Sequence, residues 1–145
     1  MAKIRLTKNE LKLQKDALKR YNRYLPTLVL KKQQLQVEIL RVQGVETERR
    51  GRIEAEQAAL EAWVGLLGEE AGLEAMLQDL RLQLTVGNIA GIDIPVFGGL
   101  DIVEAPYDLF ATPLWVDQAL EAIGRIVRLE AEIVVLEEQR RRLDR

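Results

Sequence analysis

The sequence predicts a mainly α protein: a long antiparallel coiled coil of N- and C-terminal helices, joined by a small middle region of short helices and one β-hairpin. Three observations predict it. Charged residues make up 30% of the chain and aromatics only 5%, with Ala, Glu, Leu, Gln and Arg abundant, the composition of long helices packed through aliphatic seams. Apolar residues recur at heptad spacing near both ends. Between the ends lies a Gly-Gly pair flanked by alternating runs, a local hairpin pattern. The 145 residues accordingly divide into a first coiled-coil helix over 1–50, a helical knob with a hairpin at about 89–104 within 51–112, and a second coiled-coil helix over 113–145.

The first helix is expected to start at Thr7, which with Glu10 has capping-box spacing ahead of the apolar pattern. One heptad position holds Leu11, Leu18, Leu25, Lys32 and Ile39, and the other holds Gln14, Tyr21, Leu28, Leu35 and Val42. Eight of these ten are apolar or aromatic, which calls for a partner helix. Pro26 lacks an N–H and its ring crowds the carbonyl of residue 22. It either kinks one helix or opens a second one at the favoured first position. The heptad phase passes Pro26 without a slip, which favours a single kinked helix.

Gly44 and Gly51, among charged residues, are expected to weaken that helix. Beyond them Ala58, Leu60, Trp63, Val64, Leu66, Leu67, Leu73, Met76, Leu77, Leu80 and Leu84 read as one or two short helices interrupted at Gly65, Gly68 and Gly72. Glu69, Glu70 and Glu74 read as a solvated helix face, since no histidine accompanies them. Then Ile92, Ile94 and Val96 alternate with Asp93 and Pro95, and Leu100 and Ile102 flank Asp101, on either side of Gly98-Gly99. The glycine pair is expected to form the turn, and Pro95 to confine its strand to an edge. A lone two-stranded ribbon is marginal, so its apolar face needs the helices or another protein.

The last helix is expected after Thr112, a cap, with Pro113 at its first position. Its seam is Ala119, Ala122, Ile126, Leu129, Ile133, Leu136, Arg140 and Leu143, apolar at seven of eight positions. Helices over roughly 8–43 and 114–145 would measure about 54 and 48 Å and pair along most of their length. The intervening region is long enough to reverse the chain, so the pairing is expected to be antiparallel.

Chemistry is sparse. The chain has no cysteine and no histidine, which removes thiolate zinc sites, disulfides and the commonest general base. It has no phosphate-binding glycine loop followed by Lys-Ser/Thr, and no Ser/His/Asp set. Neither catalysis nor a cofactor is expected. The uncharged run Leu82–Ile92 is too short to span a bilayer and the N-terminus has no signal-peptide pattern, so the reading is an intracellular, soluble chain with no direct membrane insertion. Residues 1–50 hold thirteen Lys and Arg against five Asp and Glu, a net +8, leaving −10 for residues 51–145. The basic face with Lys8, Lys12, Lys15, Lys19, Arg20 and Arg23 has phosphate contact as its functional reading and a solvated coiled-coil face as its plainer one; an overall net charge of −2 favours the second, and no nucleic acid is expected.

The run KIRLTKNELKLQKDALKRYNRYLPTLVLKKQQLQVEI, the string NIAGIDIPVF and the later YDLFATPLWVD resemble the D subunits of V-type (A/V-type) ATPases and ATP synthases, particularly their shorter bacterial branch. They cover roughly half the chain in the family's order. The resemblance implies a central-stalk rotor shaft that carries torque between the catalytic A3B3 ring and the membrane ion-translocating ring and that catalyses nothing itself. Implied partners are the A and B subunits of the catalytic hexamer, the F subunit on the stalk and the C (d) subunit at the foot of the rotor. The implied location is cytoplasmic, peripheral to the membrane. In that picture Leu11, Leu18, Tyr21, Leu25, Leu28, Leu35 and Ile39 pack against Ile126, Leu129, Ile133 and Leu136. The hairpin of Ile92, Ile94, Val96, Gly98, Gly99, Leu100 and Ile102 lies near the stalk, and Arg20, Arg23, Lys31 and Lys32 are candidate ring contacts. The family continues past the point corresponding to Arg145 with a further helical stretch, so a chain truncated relative to the family is expected. A free-standing coiled-coil scaffold is the competing reading of the same heptads.

Overall fold

The computed structural model describes residues 7–61, 77–108 and 115–145. Its elements in chain order are α1 (Lys8–Glu61), β1 (Leu77–Ile89), β2 (Ile92–Glu104) and α2 (Trp115–Leu143). The mainly α architecture, with long N- and C-terminal helices and an antiparallel hairpin between them, is the expected one.

Helix α1 starts where its cap predicts. The Thr7 hydroxyl accepts the Glu10 N–H at 3.2 Å, and the Thr7 carbonyl accepts the Leu11 N–H at 3.0 Å. The helix then runs unbroken through Pro26. Residues 21–30 are exposed on every side, so water can satisfy the carbonyl that Pro26 leaves without a donor. Gly44 and Gly51 do not weaken α1 to an end as expected; it continues to Glu61, 54 residues in all, or about 81 Å. Each glycine costs about 1 kcal/mol of helix propensity. Burial of Val42 and Glu46 and the side-chain pairs Glu46–Arg50 and Glu48–Arg52 lie around them and offset that cost.

The ribbon also differs from expectation. Ala58 and Leu60 of the expected knob lie in α1, Leu77, Leu80 and Leu84 belong to strand β1, and residues 62–76 lie outside the described residues. The reason is visible in the alternation of Leu80, Leu82, Leu84 and Val86 with Arg81, Gln83 and Thr85, a two-residue period that no helix face can use. The turn is Ala90-Gly91, both at positive φ (53° and 91°), as a tight two-residue hairpin connection of matching twist requires. Asn88 supports it: its Oδ1 accepts the Gly91 N–H at 3.1 Å and its Nδ2 donates to Asp93 at 2.6 Å. Gly98-Gly99 is therefore not the turn. Gln83 pairs with Gly99 and Leu84 with Phe97, which leaves Gly98 as the extra residue of a β-bulge. A Cβ on Gly98 would sit 3.1 Å from the Gln83 carbonyl oxygen.

The bulge decides which residues share a face. Paired residues lie on the same side, so Phe97, Leu100 and Ile102 go with Leu84, Leu82 and Leu80, while Ile92, Ile94 and Val96 pair with Ile89, Gly87 and Thr85 on the other. Both sets on β2 meet the helices. Ile94 is buried with Val42 and Leu143, and Ile102 approaches α2 at Gly124. Gln139, itself buried, donates to the Pro95 carbonyl at 2.6 Å, and Arg142 donates to the Asp93 carbonyl at 3.3 Å. Pro95 is tolerated because a two-stranded ribbon consists of edges. The expected cap and first position of α2, Thr112 and Pro113, lie outside the described residues; Tyr107 after β2 donates a hydrogen bond to Asp117 in the first turn of α2.

Candidate functional site

The pairing of α1 with α2 defines the rod. Four ion pairs cross between the helices: Arg140–Glu46 (3.8 Å), Arg50–Glu137 (2.6 Å), Arg49–Glu132 (2.5 Å) and Arg125–Glu56 (3.1 Å). From Glu46–Arg140 at one end to Glu56–Arg125 at the other the pairs advance along α1 as they retreat along α2, so the pairing is antiparallel. At one end Leu60 of α1 shares a groove with Gln118 and Ala119; at the other, Val42 packs with Leu143.

This register corrects the expected partners. Of the first seam, only Leu35 and Ile39 pack on the cluster of Val42, Ile94 and Leu143, together with Leu136. Leu11, Leu18, Tyr21, Leu25 and Leu28 are 57–72% exposed. Ile126, Leu129 and Ile133 are buried or half-buried beside the later part of α1. The physical reason is length. The pairing begins beside Leu60, and the 29 residues of α2, about 44 Å, run out at Val42. Some 30 residues of α1 extend beyond it.

The part of α1 that does pair is hidden in the sequence by its charges. Continuing the heptad from Ile39 and Val42 gives Glu46, Arg49, Ile53, Glu56 and Leu60, and each of these is buried or half-buried. Three of the five are ionised, so a search for apolar residues passes over them; the unbroken phase is the signal that marks them. Each finds an opposite charge on α2. Glu46 is only 8% exposed, and its Oε1 accepts from Arg50 at 3.0 Å, whereas Oε2 has no hydrogen-bond partner and faces Arg140 at 3.8 Å. The hydrogen bond to Glu46, with the charge of Glu137, holds the Arg50 guanidinium above the ordinary arginine range, and Glu56 does the same for Arg125. Near the end of α2, hydrogen bonds from Arg142 and Arg141 hold the Glu138 carboxyl below its ordinary range.

On α2 the expected seam is inward throughout: Ala119, Ala122, Ile133 and Leu143 are buried and the other four half-buried. Val116, Leu120, Val135 and Gln139 are buried as well, on positions the heptad does not include. They exist because α2 has two neighbours, α1 and the ribbon. Arg20, Arg23, Lys31 and Lys32 are all exposed on α1, and the Lys31 ammonium lies 3.9 Å from where a Cβ on Gly91 would sit, at the ribbon tip. Among the described residues no group of carboxylates is arranged to hold a metal ion, and no helix is long and apolar enough to cross a membrane.

Such an arrangement defines a class of protein, a long antiparallel helix pair with a β-ribbon at its side. The family of ATP synthase D subunits matches residues 10–145, and the chain belongs to that family. It is 37% identical over 139 residues to the V-type ATP synthase D subunit of Borreliella burgdorferi, covering 96% of this chain and 69% of that protein. It is 33% identical to the V-type ATP synthase D subunit of Chlamydia caviae, over 80% of this chain and 57% of that protein. The namesake from Chlamydia abortus is 31% identical, over 96% and 69% respectively. The chain thus spans 57–69% of the length of these curated relatives.

Proposed function

We propose that the chain is a central-stalk rotor subunit of a V-type ATPase/ATP synthase, carrying torque between the catalytic A3B3 hexamer and the membrane ion-translocating ring, with no catalytic residue of its own. The observation that carries this reading is the continuous 54-residue α1, joined to α2 by interhelical ion pairs along its later half, in a chain of this family. Torque transmission requires that two helices neither slide nor separate. A ladder of four interhelical ion pairs around a buried glutamate resists sliding, because a shift by one turn removes several opposite-charge contacts at once. An off-axis ribbon makes the shaft asymmetric. Turning an asymmetric shaft inside a ring of like subunits biases their conformations unequally, which couples rotation to nucleotide affinity with no catalytic side chain in the shaft.

In this reading the exposed α1 extension enters the ring, with Arg20, Arg23, Lys31 and Lys32 as its electrostatic contacts, and the half bearing the ribbon meets the F and C (d) subunits. The location is cytoplasmic and peripheral to the membrane, through the complex. The test is to mix this chain with a purified A3B3 ring and the F subunit and to weigh the products by native mass spectrometry. One copy per ring with F attached is expected; assembly with neither partner overturns the proposal.

A further inference from the structure

The apolar seam between α1 and α2 does not by itself fix their alignment. On α2, Ile126 and Ile133 stand seven residues apart, as do Leu129 and Leu136, so a slip of one heptad exchanges isoleucine for isoleucine and leucine for leucine. On α1 the row Ile39, Glu46, Ile53 and Leu60 repeats at the same spacing, and Glu46 is its one polar member. Glu46 is also the one charged side chain buried among the described residues. Its Oε1 accepts a hydrogen bond from Arg50 on its own helix, while Oε2 has no hydrogen-bond partner and faces Arg140 across the pair at 3.8 Å. A buried carboxylate so incompletely compensated lowers stability relative to an aliphatic residue of similar size.

A charge in that place discriminates between alignments where aliphatic residues do not. The contacts present set Glu46 by Arg140, Arg49 by Glu132 and Glu56 by Arg125. Seven residues of slip one way would set Glu46 beside Ile133 and Arg49 beside Arg125; seven the other way, Arg140 beside Ile53 and Glu56 beside Glu132. Each alternative strands a charge against an aliphatic side chain and opposes two like charges. The ribbon is tied in at the same level, because Gln139, next to Arg140 and itself buried, donates to the Pro95 carbonyl. Consecutive residues of α2 thus hold two different partners. We propose that Glu46 is a register-setting residue: with Arg140 it selects this alignment of helices and ribbon over those one heptad away, at a cost in stability. Alignment matters equally to a rotor shaft and to a free-standing scaffold, so its test is separate from that of assembly.

Because the chain has no cysteine, spin labels can be attached at Gln43→Cys on α1 and Gln118→Cys on α2, both exposed positions. A slip of one heptad moves the labels by about 10 Å along the rod, which double electron–electron resonance resolves. The labelled parent should give one distance. Adding Glu46→Leu should produce a second distance about 10 Å from the first, with a urea midpoint equal to or above the parent's. Arg50 keeps Glu137 in that variant, and the half-exposed Arg140 turns to water. Adding Arg140→Leu instead should also produce the second distance but lower the midpoint, since the buried carboxylate then faces no cation across the pair. Lost register with stability moving in opposite directions distinguishes selection from a stabilising contact. A single unchanged distance in either variant overturns the proposal. So does a lowered midpoint for Glu46→Leu, which would make Glu46 an ordinary stabilising residue.

Discussion

The two halves of α1 share a helix and a heptad phase yet differ in almost everything else. From Leu11 to Leu28 the seam is largely apolar and exposed; from Val42 to Leu60 it is half ionic and buried or half-buried. Hydrophobicity therefore does not rank these residues by burial. The presence of α2 alongside does, and α2 ends at Val42. Charged residues at seam positions survive there because each meets an opposite charge from α2 at the rim of the pair, where guanidiniums such as Arg50 and Arg140 remain about half exposed. The comparison separates two properties that a heptad pattern merges: what a surface is suited to bind, and what it is bound to.

The largest expected effect sets the halves directly against each other. Val42→Asp buries an unpaired carboxylate at a fully enclosed position, and should cost more than about 3 kcal/mol. Leu25→Asp, at a side chain 57% exposed, should cost under about 1 kcal/mol. Urea unfolding of both variants measures the difference, and equal losses would show that the extension is packed as tightly as the paired half. Next in size, Gly98→Val drives a branched side chain into the Gln83 carbonyl, at a cost of about 1–3 kcal/mol. Amide exchange should report lost protection in both strands with α1 protection unchanged; unaltered strand protection contradicts the bulge.

Smaller effects sharpen the same contrast. Ala90 holds φ at 53°, a conformation that costs a Cβ-bearing residue about 1–2 kcal/mol and that asparagine tolerates better. Ala90→Asn should therefore raise the urea midpoint slightly, and a lowered midpoint would contradict a left-handed turn at this position. The smallest effect is on pH. Glu138 has a lowered folded pKa, through hydrogen bonds from Arg142 and Arg141, so its contribution is complete above the unfolded glutamate pKa and is lost as pH falls from there through the folded value. Amide protection in the last turns of α2 should decline over that acidic window, and Glu138→Gln should remove the decline.

Legibility follows the range of the interaction. The Thr7 cap, the α2 seam and the existence of a ribbon rest on contacts within a few residues, and each is readable from spacing. The turn of the hairpin is not, because two glycine-bearing sites compete for it. Gly98-Gly99 has the stronger composition, yet Ala90-Gly91 is the site that lets two thirteen-residue strands pair along their length. Glu46, Arg49 and Glu56 escape notice since an isolated sequence gives a charge no reason to be at a seam.

Residue order alone therefore settles helices at both ends, because the 3.6-residue and heptad periods are local, and the strand that carries Ile92, Ile94 and Val96, whereas the first strand of the ribbon reads as helix in the sequence. It also settles the absence of histidine and cysteine chemistry in this chain. The tertiary structure alone decides register, the position of the turn, and which half of α1 is covered. Those depend on where distant segments stop and which charges they bring, and α1 holds at Glu46 the carboxylate that Arg140 reaches from the far end of the chain.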